Sequence, residues 1–246
     1  IQVCKQLAQA VKNADIVMVI VPANFHAQYA RLLAPLLEEG QILFLNPGHS
    51  GGALEVKQVL KEQGLEAKIT LIETNTLTYI TRKTGDDEVT IFKLDNHIIF
   101  SALPACETPA ASQKIKELYP GLNSADSVLE TSLTNFNAVM HPPAMILNAA
   151  LIERTKGDFY FYSEGTTPAV GKVMEALDKE RMAILKALGL SRTSFLEFFY
   201  QTGCTTKDAY ESGSYYRIVK ESPPNTKIKA PDNLEHRFLE EDIRCG

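Results

Sequence analysis

The chain has 246 residues, 45% of them hydrophobic and 22% charged, which is enough apolar material for one large domain or two small ones. A net charge of −5 with no basic run argues against a phosphate-neutralising nucleic-acid binder, and no apolar stretch reaches the ~20 residues that span a bilayer. The absence of an apolar leader and four scattered cysteines (Cys4, Cys106, Cys204, Cys245) without a C-x-x-C pair fit a cytoplasmic protein with free thiols, bound to neither membrane nor nucleic acid.

In chain order, residues 2–13 read as the end of an amphipathic helix. Residues 16–21 follow as a Val/Ile-rich apolar run, the pattern of a strand buried on both faces of a parallel sheet. Pro22 and Ala23 end it. Residues 26–39 carry Tyr29, Leu32, Leu33, Leu36 and Leu37 at helical spacing, and Gly40 stands where a helix C-cap belongs. A strand at 41–45 runs into the turn Asn46-Pro47-Gly48. The unit repeats as a helix at 53–63, Gly64, and a strand at 67–72. Further strands fall at 89–92 and 98–102, separated by a turn at Asp95-Asn96, and 111–118 is a short helix. Alternating strands and helices predict an α/β Rossmann-like, largely parallel sheet.

The pattern then changes. Residues 128–140 read as a helix that Pro142-Pro143 interrupts, with a new helix at 144–154 starting on the second proline. Thr167-Pro168 is an N-cap and first-position pair opening a long helix that Gly189 closes, and Ser194-Phe195-Leu196-Glu197 is a capping box. The expected organisation is a dinucleotide-binding α/β domain over 1–110, a boundary region over 111–125, and an all-α substrate-binding domain over 126–246. No G-x-G-x-x-G turn is present. Such a sheet normally opens with that turn, whose bare backbone meets the pyrophosphate. The chain therefore reads as a portion lacking the first βαβ unit.

Six segments, in order, resemble the octopine and nopaline (opine) dehydrogenase family. They are Asp15-Ile16-Val17 to Ala23 with His26; Asn46-Pro47-Gly48 with Gly51-Gly52-Ala53-Leu54-Glu55; Glu73-Thr74-Asn75-Thr76-Leu77 with Tyr79 and Arg82; Glu130-Thr131-Ser132-Leu133 with Asn135-Phe136-Asn137, His141-Pro142 and Asn148-Ala149; Tyr162-Ser163-Glu164-Gly165 through Pro168 with Asp178-Lys179-Glu180-Arg181; and Ala230-Pro231 with His236-Arg237-Phe238 and Glu241-Asp242-Ile243. The resemblance implies reductive condensation of an amino acid with a 2-keto acid, pyruvate by default, using NAD or NADP; these two cannot be separated here. Oligomeric state is left open by the sequence, with a homodimer through the helical domain as one option.

The same residues can be read for chemistry. His141, at the expected break before Pro142, is the candidate acid–base residue, since imidazole titrates near neutrality; a histidine satisfied in a helix kink is the alternative. The resemblance implies that Asp242 holds its other nitrogen, as in hydrolase triads; alone, Asp242 is one carboxylate of an acidic run. Arg237 offers a planar fork for a keto-acid carboxylate, or an ion pair with Glu240 or Glu241. Asn137, one helical turn before His141, could orient substrate or nicotinamide, or be a polar helix residue. Pro22, Ala23, Asn46, Pro47 and Gly48 sit at the carboxyl ends of predicted parallel strands, where cofactors bind; ordinary turn chemistry also explains them. Glu73, at the same edge, could meet a substrate ammonium or be a solvated carboxylate. His26 and His49 read as caps or supports, and no cluster has metal-ligand spacing.

Two rival readings remain. A hydroxyacid or ketopantoate reductase-type dehydrogenase shares this architecture but places a lysine on a helix of its second domain, and no lysine lies between Asp126 and Arg154. A degenerate, non-enzymatic scaffold would also lack the glycine turn.

Overall fold

The computed structural model describes residues 2–94, 97–191 and 193–244, with side chains except at 80, 82, 92–94 and 244. The side chain of Arg82, the Asp95-Asn96 turn and Cys245 therefore lie outside the described residues. The contacts separate a first unit ending at Ser132 from a second running over Leu133–Arg244.

The first unit contains α1 (Leu7–Val11), β1 (Ile16–Val19), α2 (His26–Leu33), β2 (Ile42–Leu45), α3 (Gly52–Glu62), β3 (Thr70–Thr74), β4 (Tyr79–Lys83), β5 (Val89–Leu94), β6 (Ile99–Leu103), α4 (Thr108–Leu118), β7 (Asn123–Ser124) and α5 (Val128–Leu133), the last ending at the division. The main sheet has the order β1-β2-β3-β6-β7. β1, β2 and β3 run parallel, and β6 runs antiparallel to β3.

Strand periodicity explains why β2 is apolar at every position. Successive side chains point to opposite faces. Leu43 and Leu45 join a cluster with Ala53, Val56 and Leu60 of α3, while Ile42 and Phe44 join a second with Ile72, Phe100 and Ile115. A strand covered on both faces has no polar side to present.

Three departures from the sequence reading have physical causes. α2 stops at Leu33, short of 39, because Pro35 has no amide hydrogen with which to extend the helical ladder beyond Ala34. β4 carries Arg82 and Lys83, which break its apolar pattern, and it pairs with β5 in a separate hairpin. That hairpin, not a helix, links β3 to β6, so β6 returns antiparallel, as a link without a helical crossover allows. The units also divide later than 111–125, because Ala111 and Ile115 of α4 pack in the sheet's own cluster.

The second unit is helical: α6 (Asn137–Leu147), α7 (Ala149–Thr155), α8 (Pro168–Ala187), α9 (Phe195–Gln201), α10 (Lys207–Glu211), α11 (Tyr215–Lys220) and α12 (Arg237–Arg244). Its core gathers Met145, Ile152, Phe161, Met174, Phe195 and Ile218. Hydroxyl caps open four helices: Thr167, Ser194, Thr206 and Ser214 accept from Val170, Glu197, Ala209 and Arg217 amides.

The expected break at Pro142-Pro143 is absent, for both prolines lie inside α6. The break falls instead between α5 and α6, at 134–136. Burial of Val139, Met140, His141, Pro143, Ala144 and Met145 explains why tertiary packing prevails over two missing amides. No helix among the described residues is long and apolar enough to cross a membrane.

Candidate active site

In the second unit, α12 presents a buried stripe at Phe238, Glu241 and Asp242, spaced as neighbours on one helix face. This stripe packs on α6, which carries His141. His141 and Asp242, 101 positions apart, meet with Nδ1 to Oδ2 at 2.7 Å, and their side chains are 5% and 1% exposed. A carboxylate only accepts, so Nδ1 carries the hydrogen and Nε2 is the nitrogen left for proton exchange. The hydroxyl of Tyr162 lies 2.9 Å from Nε2. The imidazole stacks on Phe238, with ring centroids 3.8 Å apart and planes at 20°. Among the described residues, Asp242 Oδ1 is buried without a hydrogen-bond partner.

Arg237 is half-exposed, at 54%, and donates from Nη1 to the buried Glu241 at 3.2 Å. Its guanidinium carbon also lies 5.2 Å from the Phe238 ring centroid. A fork so held keeps further N–H groups for an anion. His236 packs edge-on against Phe238. Burial, then the positive charge of Arg237 and the neighbouring His141, pushes its pKa down. Asn137 opens α6 one turn before His141 and is partly buried.

Tyr162 and Glu241 escaped the reading of the sequence as site residues. Tyr162 lies outside the regular helices, in a stretch with no periodicity to orient it. Glu241 had a signal, the four-residue spacing from Arg237.

The first unit gathers the other predicted residues at the carboxyl ends of its parallel strands. Asn46, after β2, is 2% exposed and exchanges hydrogen bonds with both the side chain and amide of Thr78. Pro47 and Gly48 are buried beside it. A side chain at Gly48 would stand 2.2 Å from Oε2 of Glu73, so only glycine fits. Pro22 is half-buried after β1, and Ala23 is buried. A nicotinamide cofactor fits this edge in outline. The carboxyl ends of β1 and β2 form the kind of edge at which parallel sheets bind ligands, and Pro22, Ala23 and the turn at 46–48 make up its rim. The polar atoms of Asn46 are engaged internally, so they shape the rim and do not read a pyrophosphate.

Glu73, at the end of β3, is 0% exposed. It accepts from the Ala53 amide at 2.8 Å, near the start of α3, and from the hydroxyls of Thr131 and Ser132. It thus ties the strand edge to α3 and α5. Burial raises its pKa from 4.5 to about 7, against the lowering effect of those donors. A carboxyl with a raised folded pKa stabilises fully below 4.5, and that contribution is lost as pH rises to about 7. The shift corresponds to roughly 3 kcal/mol at 1.36 kcal/mol per pKa unit. Urea unfolding across pH 5 to 8 should show this decline in the wild type, and Glu73→Gln should flatten it. Parallel pH curves for the two proteins would refute the assignment.

Residues 124–246 match the family model described as NAD/NADP octopine/nopaline dehydrogenase, alpha-helical domain. An opine dehydrogenase of Arthrobacter sp. (strain 1C) is 38% identical over 239 residues, covering 96% of this chain and 64% of that protein. Among solved structures, an octopine dehydrogenase with NADH and L-arginine superposes with TM-score 0.71 at 18% identity, over 97% of this chain and 64% of the other. Apo yersinopine dehydrogenase gives TM-score 0.74 at 15% identity, over 93% and 61%. This chain thus spans just under two thirds of the length of the relatives it matches. The sheet-then-helices architecture and the buried His141–Asp242 pair lie along a sequence matched from end to end: the chain belongs to the octopine/nopaline dehydrogenase family.

Proposed function

We propose that this chain carries the acid–base half of an opine-forming oxidoreductase, which condenses an amino acid with a 2-keto acid and reduces the product with NADH or NADPH. The observation that carries the reading is the His141–Asp242 pair, buried at 2.7 Å within the family-matched region. Loss of water from the condensing pair needs a proton donor, and the reverse oxidation needs an acceptor. An imidazole fixed by a carboxylate serves both. Asp242 holds the Nδ1–H tautomer and stabilises the imidazolium.

Arg237, braced by Glu241, pairs with the keto-acid carboxylate, and Asn137 orients the substrate from the same helix as His141. The rim of Pro22, Ala23, Asn46, Pro47 and Gly48, shaped by Glu73, borders the nicotinamide, which when bound supplies the hydride. Related structures support this ligand set: octopine dehydrogenase was solved with NADH and L-arginine, agmatine or pyruvate, and yersinopine dehydrogenase with NADP+.

The test follows NADH and NADPH oxidation by the full-length product of the gene, with pyruvate and a panel of amino acids. Oxidation that needs both substrates is the expected result. Oxidation with keto acid alone would replace this reading with a simple hydroxyacid dehydrogenase, and silence from a folded protein would favour a scaffold.

A further inference from the structure

Both nitrogens of His141 are occupied. Nδ1 is committed to Asp242 at 2.7 Å, and Nε2 faces the Tyr162 hydroxyl at 2.9 Å. The ring faces are covered as well, for Phe238 stacks on the imidazole and His141 is 4% exposed. Tyr162 is equally enclosed, at 4%, and its ring packs edge-on against Phe161 at 5.0 Å and 77°. A proton entering or leaving this imidazole therefore passes at Nε2, the nitrogen not held by a carboxylate, where the Tyr162 hydroxyl stands.

We propose that the Tyr162 hydroxyl relays the proton between His141 and the substrate. This inference rests on the acid–base role proposed above for His141. In the condensing direction, the imidazolium Nε2–H bond breaks as its proton passes to the Tyr162 oxygen. The tyrosine's own hydrogen passes on to the departing hydroxyl of the amine–keto acid adduct, and that C–O bond breaks to release water. Tyrosine is neutral before and after, and one proton has moved from imidazole to water. A hydroxyl suits this, because it donates and accepts at one atom. The reverse oxidation runs the same path backward. The competing arrangement has Tyr162 as a cover that swings aside and lets substrate touch Nε2 directly.

Tyr162→Phe separates the two, since it removes the oxygen and keeps the packed ring. The relay predicts a kcat lowered on the order of 100-fold, within the span of general acid–base catalysis, with KM nearly unchanged. It also predicts a curved proton inventory in mixed H2O/D2O for the wild type, reporting two protons in flight, when the chemical step limits the rate. Undiminished or faster turnover in Tyr162→Phe, or a linear wild-type inventory with chemistry limiting, would overturn it. A separate measurement needs no turnover: the nitrogen-15 shift of His141 Nε2 should move in Tyr162→Phe while that of Nδ1 stays. Absence of that movement would remove the contact itself. Failure of every substrate pair with the Nε2 shift intact would instead count against the proposed function.

Discussion

Asp242→Asn is expected to lower kcat by about 10³- to 10⁴-fold while the protein stays folded. An amide at Oδ2 can present its NH2 to Nδ1, and the imidazole must then place its hydrogen on Nε2, the wrong nitrogen for accepting a proton. The analogous change in a serine protease triad has an effect of about 10⁴ by this route. The pair is buried to 5% and 1%, so water cannot substitute for the lost carboxylate. Steady-state kinetics with the full-length enzyme, together with a nitrogen-15 readout of the His141 tautomer, checks both halves of the claim. Wild-type turnover, or loss of activity with the tautomer unchanged, would show that Asp242 does not act through His141. His141→Ala should be at least as slow, and the double variant no slower than His141→Ala, because the two residues act as one unit.

The second large effect concerns stability. Asp178→Ala should lower the unfolding free energy by about 3–5 kcal/mol, the range for breaking a buried ion pair from one side. Asp178 is 1% exposed and takes four hydrogen bonds: from Arg181 Nε at 2.8 Å and Nη2 at 2.6 Å, from the Phe195 amide at 3.0 Å, and from the Tyr215 hydroxyl at 2.6 Å. Burial, and then the bond to Asp178, pushes the Tyr215 pKa well up, so the phenol remains a donor. Arg181 continues outward to the Leu133 and Thr193 carbonyls and lies over the Phe136 ring. Removing the carboxylate leaves a buried guanidinium, an amide and a hydroxyl unmatched. Urea denaturation of the wild type, Asp178→Ala and Asp178→Asn measures this, and a loss below about 1 kcal/mol for Asp178→Ala would mean that the hub is dispensable.

Much of the architecture could be read from residue type alone, where local chemistry decides. Thr167-Pro168 and Ser194 cap helices as their side chains require, and Gly64 and Gly189 take positive φ at helix ends, whereas Gly40, read as a helix cap, turns the chain into β2 well past the end of α2. β2 announced its double burial by carrying no polar residue. Pairing was harder to read. Nothing in residues 67–103 says that β6 runs antiparallel to β3, because residue types within a strand do not encode its direction, which depends on what lies between. The prolines in α6 misled because local propensity disagreed with burial, and burial prevailed.

The site divides along similar lines. His141 and Arg237 are residue types whose chemistry is visible at once, but the meeting of His141 with Asp242 spans 101 positions and was accessible only through resemblance. Glu73 read either as a partner for a substrate ammonium or as a solvated carboxylate, and it is instead fully buried and internally bonded. Its burial depends on Thr131 and Ser132, which lie far along the chain.

The prolines inside α6 have one more consequence. Pro142 and Pro143 carry no amide hydrogen, so the carbonyls of Ala138 and Val139, one turn earlier, have no helical donor. The rungs absent from this ladder lie within a turn of His141, so fewer backbone bonds hold α6 there than hold an ordinary helical turn. The His141–Asp242 bond therefore anchors a turn whose backbone ladder is two rungs short, and side-chain packing carries there what backbone hydrogen bonds do not.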